Sequence, residues 1–239
     1  MGRTFGVNML MAKKFVTYDL APEWIAAIGE PERNFKAVVF GKPGQGKTTF
    51  VLKLCIELCK FGKVYYNSVE QGEGKSLQDV ARLIDLSAAA PGSIVFGDRD
   101  NFEEMLAKLK KNRCKFVVLD SRDYLKLTKE QYIYMTELHK KKCFIIICWE
   151  TGGKPNGRAG QDIEYMADIK IHVKGGVATT RSRFGPTKPY KIFEKVEVAG
   201  DQLKIVLQDS KSSVSPLKEE EKAITPGEEA AVEQLENNQ

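Results

Sequence analysis

Phe35-Lys36-Ala37-Val38-Val39-Phe40 followed by Gly41-Lys42-Pro43-Gly44-Gln45-Gly46-Lys47-Thr48-Thr49 is the stretch that decides the fold. The first part is an apolar run that ends at a glycine, which predicts a buried strand. Beyond the glycines, Val51, Leu52, Leu54, Cys55, Leu58 and Cys59 recur at helical spacing from Lys47 to Lys60. Gly62 then stops the helix. Strand, glycine-rich turn and helix N-terminus in that order make a cradle for phosphate. The glycines let the backbone bend so that successive N–H groups face one anion, and the positive end of the helix favours it further. Lys47 brings a full charge to the outer phosphates, and the hydroxyl of Thr48 is placed to coordinate Mg²⁺.

Gly41–Thr48 fits the Walker A pattern G-x-x-x-x-G-K-[ST], with an additional glycine at Gly44. ATP and Mg²⁺ are therefore the expected ligands. Gly41, Gly44, Gln45, Gly46, Lys47, Thr48 and Thr49 are the expected cradle residues. The metal needs a second oxygen ligand. Phe116-Val117-Val118-Leu119-Asp120 is an apolar strand ending in a carboxylate about seventy residues after Lys47, so Asp120 is the Walker B candidate. Asp123 competes with it but lies beyond the strand end. A further carboxylate must polarise the attacking water. Glu70 is chosen because it follows the strand Lys63–Ser68, which is expected beside the P-loop strand; Glu73 is the alternative in the same loop.

The rest of the chain continues the alternation. Strands are predicted at Lys63–Ser68, Ser93–Phe96, Phe116–Asp120 and Cys143–Cys148, and helices at Ser76–Leu86, Asn101–Lys111, Lys129–Lys141 and Gln161–Met166. That rhythm implies an α/β fold with a mostly parallel central sheet flanked by helices. After Ala167 it changes. Asp168–Lys174 and Val177–Arg183 around Gly175-Gly176 read as a hairpin, and Lys191–Val198 with Gln202–Leu207 as another, so the sheet is expected to end in antiparallel hairpins. The organisation is then an N-terminal segment (1–34), with a short helix near Pro22–Ile28, a core (35–209) and a tail (210–239).

Charge is unevenly placed. From Lys211 onward three Lys and seven Glu give −4, which leaves +9 on the remainder of a chain whose net charge is +5. The tail, rich in Ser, Glu, Gln and Pro, cannot bury enough apolar surface to offset its ordering entropy, so it is expected to be a disordered acidic segment that offers itself to a protein partner. The basic body permits contact with a polyanion. No run of about eighteen apolar residues is present, which argues against a membrane-spanning helix. The five cysteines match no zinc spacing and read as buried apolar residues in a reducing, cytoplasmic setting.

Over about residues 35–195 these motifs together resemble the RecA-like P-loop ATPases, and within them the RadA and DnaB branch. Val64-Tyr65-Tyr66-Asn67-Ser68-Val69-Glu70-Gln71 is similar to the segment in which a strand ends in the catalytic glutamate, and Leu119-Asp120-Ser121 to the Walker B Asp-Ser. Arg181-Ser182-Arg183-Phe184-Gly185 resembles the Lys-Asn-Arg-Phe-Gly motif. The resemblance implies that Arg183, with Arg181 as companion, reaches ATP on a neighbouring subunit, hence a homo-oligomeric ring or filament. It implies that Glu150 occupies the place of a polar γ-phosphate sensor. It also places a DNA-binding loop at Thr151–Gly160, mobile and basic, with Lys154 and Arg158 tracking the backbone of single-stranded DNA. Residues 1–34 and 210–239 carry nothing similar to the family's zinc finger, protease-like extension or primase-binding domain, so a core-only member is expected.

The implied function is ATP hydrolysis coupled to single-stranded DNA in recombination, repair or replication. Two alternatives stand beside it: a hexameric helicase or translocase core, and a nucleotide-switched scaffold with a protein partner and little turnover.

Overall fold

The computed structural model of the protein describes residues 4–193, together with the hairpin strands at 196–199 and 202–205. Its elements, in chain order, are α1 (Val7–Met11), α2 (Pro22–Ile28), β1 (Lys36–Gly41), α3 (Lys47–Leu58), β2 (Val64–Ser68), α4 (Lys75–Leu83), β3 (Ile94–Asp98), α5 (Phe102–Lys111) and β4 (Phe116–Asp120). After these come α6 (Arg122–Leu125), α7 (Lys129–Leu138), β5 (Cys143–Thr151), β6 (Lys154–Pro155), α8 (Gly157–Met166), β7 (Ile169–Lys174), β8 (Val177–Ser182), β9 (Tyr190–Lys191), β10 (Val196–Ala199) and β11 (Gln202–Ile205). The acidic tail and the distal end of the last predicted strand lie outside the described residues.

Nine strands form one sheet in the order β3-β2-β4-β5-β1-β7-β8-β9, with β6 paired to β5. The strands from β3 to β7 are parallel; β8 and β9 close the sheet antiparallel. The central strands are apolar at nearly every position because both faces are covered. On one face Ala37, Val39, Tyr66, Val118, Ile145 and Ile171 pack against Phe50, Leu54 and Leu58 of α3 and against Trp24 and Ile28 of α2. On the other, Val38, Phe40, Val117, Phe144 and Ile146 pack against Met105 and Leu109 of α5, Tyr132 and Met135 of α7 and Ile163 of α8. Phe50, Leu54 and Leu58 are buried, and each such side chain is worth about 1.5–3 kcal/mol.

Local chemistry sets the helix starts. Asn101 and Glu104 form a reciprocal capping box on α5, and Thr128 and Gln131 do the same on α7. The N-cap of α3 differs: Gly46 sits there at φ +98°, and no side chain caps the helix.

One expectation is corrected by the topology. The strand that leads to Glu70 is not beside the P-loop strand. β2 pairs with β3 and β4, whereas β1 pairs with β5 and β7. The segment Thr151–Gly160 also differs from a mobile loop. Gly152 and Gly153, at φ +61° and +77°, turn β5 into β6, and α8 begins at Gly157.

Candidate functional site

Loops at the C-terminal ends of parallel strands gather functional side chains. The loops after β1, β2, β4 and β5 meet here. The cradle itself is open at Gly44, where an added Cβ would meet nothing within 4 Å. The α3 N-terminus behind it has no capping side chain and no acidic residue in its first turn, so its N–H groups remain directed at whatever occupies the cradle. Lys47 Nζ donates to the carbonyls of Gly41 at 2.8 Å and Lys42 at 2.9 Å. Burial pulls the Lys47 ammonium below its ordinary value, while the nearby Glu70 and Asp120 carboxylates oppose that shift. Thr49 is buried in the first helical turn.

Thr48 Oγ1 donates to Asp120 Oδ2 at 2.9 Å, which joins the end of β4 to the start of α3 across the intervening β5. Tyr66, fully buried on β2, donates its hydroxyl to the same oxygen at 2.5 Å. Burial raises the Asp120 carboxyl above its ordinary value; the Tyr66 and Thr48 hydrogen bonds oppose this. A hydroxyl and a carboxylate oxygen this close are the hard oxygen donors that Mg²⁺ takes, with water and phosphate filling its other positions. Among the described residues no cluster of three His, Cys, Asp or Glu offers an alternative metal site.

Glu70 reaches the same place by another route. Its N–H donates to the Asp120 carbonyl at 2.9 Å. Its Oε2 accepts from Ser121 Oγ at 3.2 Å and faces Trp149 Nε1 at 3.5 Å. The Asp120–Ser121 peptide is cis. Lys47, Thr48, Asp120 and Glu70 are thus brought together. Glu73 is not; it is exposed in the loop toward β3, where its N–H donates to Asp98 Oδ1. Asp123 is committed elsewhere, accepting from the Trp149 N–H at 2.7 Å, from Arg122 Nη1 at 2.7 Å and from Asn156 Nδ2 at 3.2 Å.

The β7–β8 turn and the segment after β9 wall the cradle. Gln45 Oε1 accepts from the Gly175 N–H at 2.7 Å, Lys53 Nζ donates to the Ile192 carbonyl at 2.7 Å, and the Phe193 ring lies against Gly46. Glu150 Oε2 pairs with His172 Nε2 at 2.9 Å, and the imidazole stacks on Phe40 with ring centres 5.0 Å apart.

Arg181 and Arg183 are not in this site. β8 runs antiparallel to β7, so its C-terminal end lies beside the start of β7, at the end of the strands away from the cradle. Arg183 Nη1 pairs with Asp168 Oδ1 at 3.2 Å, and Asp168 Oδ2 accepts from the Lys36 N–H at 2.9 Å. Lys36 begins β1 and Gly41 ends it, a separation of about 16 Å at ~3.3 Å per residue. Both arginines are exposed. Lys154 and Arg158 are also exposed, on the β5–β6 hairpin and in the first turn of α8.

Three of these features are not anticipated from the sequence: Tyr66 on the Asp120 carboxylate, Trp149 beside Glu70, and the Glu150–His172 pair. Tyr66 had a usable signal, because a tyrosine inside a fully buried strand must find a polar partner.

No protein-family model matches the chain, and no curated protein matches it. Among solved structures it is similar to a KaiC-like protein from the hyperthermophilic archaeon Pyrococcus horikoshii OT3, with a TM-score of 0.54 and 16% identity over 81% of this chain and 99% of that one. At that identity the likeness establishes the fold, a RecA-like α/β core, and nothing finer.

Proposed function

We propose that the chain is a Mg²⁺-dependent ATPase that assembles head to tail and acts on single-stranded DNA in recombination, repair or replication. The observation that carries the ATPase reading is the convergence of Thr48, Asp120 and Glu70 on the mouth of the Lys47 cradle: Thr48 to Asp120 at 2.9 Å, and the Glu70 N–H to the Asp120 carbonyl at 2.9 Å. Fold likeness to a KaiC-like protein supports the same class.

In this reading the α3 N–H groups bind the phosphates of ATP, and Lys47 leaves the Gly41 and Lys42 carbonyls to meet the outer ones. Thr48 and Asp120 would hold Mg²⁺, which supplies charge neutralisation on the phosphates. Glu70, oriented by Ser121, accepts a proton from the attacking water. Arg183 exchanges Asp168 for the γ-phosphate of the adjoining subunit, with Arg181 beside it, because neither can reach its own cradle. A head-to-tail interface that delivers such a group repeats into a ring or filament.

The test is steady-state ATP hydrolysis with and without single-stranded DNA, with Lys47→Ala as the blank. Hydrolysis that DNA stimulates supports the proposal. Slow hydrolysis that DNA leaves unchanged favours a nucleotide-switched scaffold. That second reading draws on Glu150, which pairs with His172 at 2.9 Å.

A further inference from the structure

The end of the sheet opposite the cradle carries a second concave feature. A cleft of about 820 Å³ opens where the chain enters β1, β4 and β5, and it is lined by Arg33 and Asn34, by Arg113–Lys115 and by Glu137–Lys142. Six of its lining side chains are basic: Arg33, Arg113, Lys115, Lys140, Lys141 and Lys142. One is acidic, Glu137, and Lys140 neutralises it at 2.8 Å. Lys115 and Lys142 are anchored on neutral backbone carbonyls, of Phe61 at 2.6 Å and Cys114 at 2.5 Å, which fixes their positions without cancelling their charge. Arg33, Arg113 and Lys141 are exposed and form no ion pair among the described residues.

His139 lines the same cleft, and its Nε2 is the one buried side-chain nitrogen or oxygen among the described residues without a hydrogen-bond partner. Buried polar atoms are rarely left unpaired. Burial, then Lys142 and Lys110, push this imidazole below its ordinary value, as a site short of negative charge would.

We propose that this cleft binds the phosphodiester backbone of a single nucleic-acid strand, DNA or RNA, with Arg33, Arg113 and Lys141 as the phosphate contacts. Five uncompensated positive charges brought in by three separate segments exceed what one small anion needs and suit a chain of phosphates. The volume falls in the range that encloses a drug-sized ligand, so it has room for a nucleotide or two of a strand. The proposal rests on the reading of the chain as a strand-acting ATPase. It moves the principal contact from Lys154 and Arg158 to the far end of the sheet.

The experiment is fluorescence anisotropy with labelled oligo-dT and oligo-U over a range of salt. It compares the wild-type chain with Arg113→Glu/Lys141→Glu, with the milder Arg113→Gln/Lys141→Gln, and with Lys154→Glu/Arg158→Glu. Circular dichroism checks that each variant is folded. The cleft variants should bind at least about tenfold more weakly. Their salt slope should fall by about 1.4, at roughly 0.7 per phosphate contact. Loss with both oligonucleotides marks a shared backbone contact, and loss with one identifies the strand. Unchanged binding by the cleft variants, with binding lost by Lys154→Glu/Arg158→Glu, overturns the proposal and leaves the strand-acting reading intact. Failure of the wild-type chain to bind either oligonucleotide overturns both. Binding of poly-glutamate in their place, abolished by the cleft variants, would make this an acidic-peptide site and overturn the proposal as well.

Discussion

Gly41→Ala and Gly44→Ala change the same motif by one methyl group and should fail in different ways. At Gly41 an added Cβ would lie 2.2 Å from the Val173 carbonyl oxygen and 3.2 Å from its carbon, both backbone atoms of the neighbouring β7. No rotamer relieves that overlap; β1 and β7 must separate at the end that carries the cradle. Overpacking of this kind costs about 1–3 kcal/mol, and a backbone obstacle puts Gly41→Ala near ~3 kcal/mol. For a core of this size each kcal/mol moves Tm by about 2–4 °C, so thermal unfolding followed by circular dichroism should show a fall of about 6–12 °C. Gly44, by contrast, has φ +73° and open space around its would-be Cβ. Its alanine variant carries only the left-handed backbone penalty, about 1–2 kcal/mol, but fills the cradle and should weaken binding of a fluorescent ATP analogue. A Gly41→Ala protein as stable as wild type, or one less affected than Gly44→Ala, would refute the assignment of Gly41 to strand packing and Gly44 to the phosphates.

Glu70→Gln keeps the side chain's size and its contact with Ser121, so ATP binding should persist while kcat falls by about 10²–10⁴, measured by phosphate release beside nucleotide binding. Asp120→Asn should abolish Mg²⁺-dependent binding and raise the melting temperature of the nucleotide-free protein at pH 8, and by much less at pH 4. The sign follows from the raised folded-state value of Asp120: the cost of the buried carboxylate is absent below its ordinary value, grows as pH rises, and is complete above the folded-state value. A melting temperature lowered equally at both pH values would contradict that account.

The strand, glycine-rich turn and helix start at β1 and α3 are legible because apolar run, glycines and helical spacing follow one another without a break. The parallel strands were legible because burial on both faces leaves runs such as Phe116–Leu119 almost wholly apolar. Strand order was not legible. Adjacency in sequence placed β2 beside β1, but two strands from later in the chain, β4 and β5, lie between them. Glu70 reaches the site all the same, because its backbone is tied to Asp120 rather than to β1. In sequence Gly41 is indistinguishable from the other motif glycines; its constraint is the approach of Val173, a residue far along the chain. The pair Gly152-Gly153 carried the same turn signal as Gly175-Gly176, and both turn antiparallel strands. Basic residues near the first pair give it, in sequence, the look of an open loop. The roles of Tyr66 and Trp149 are not legible in sequence for a common reason: their polar atoms matter through partners on other strands, Asp120 on β4 and Glu70 after β2.

The central claim is that one ATP site is built from two subunits, and subunit mixing tests it most directly. Glu70→Gln and Arg183→Ala should each be nearly inactive alone. Mixed in equal amounts and allowed to exchange, they should regain about one quarter of wild-type hydrolysis, because a random head-to-tail assembly places an intact Glu70 against an intact Arg183 at that fraction of interfaces. Absence of recovery from an exchanged mixture, or full activity of Arg183→Ala on its own, would contradict the account.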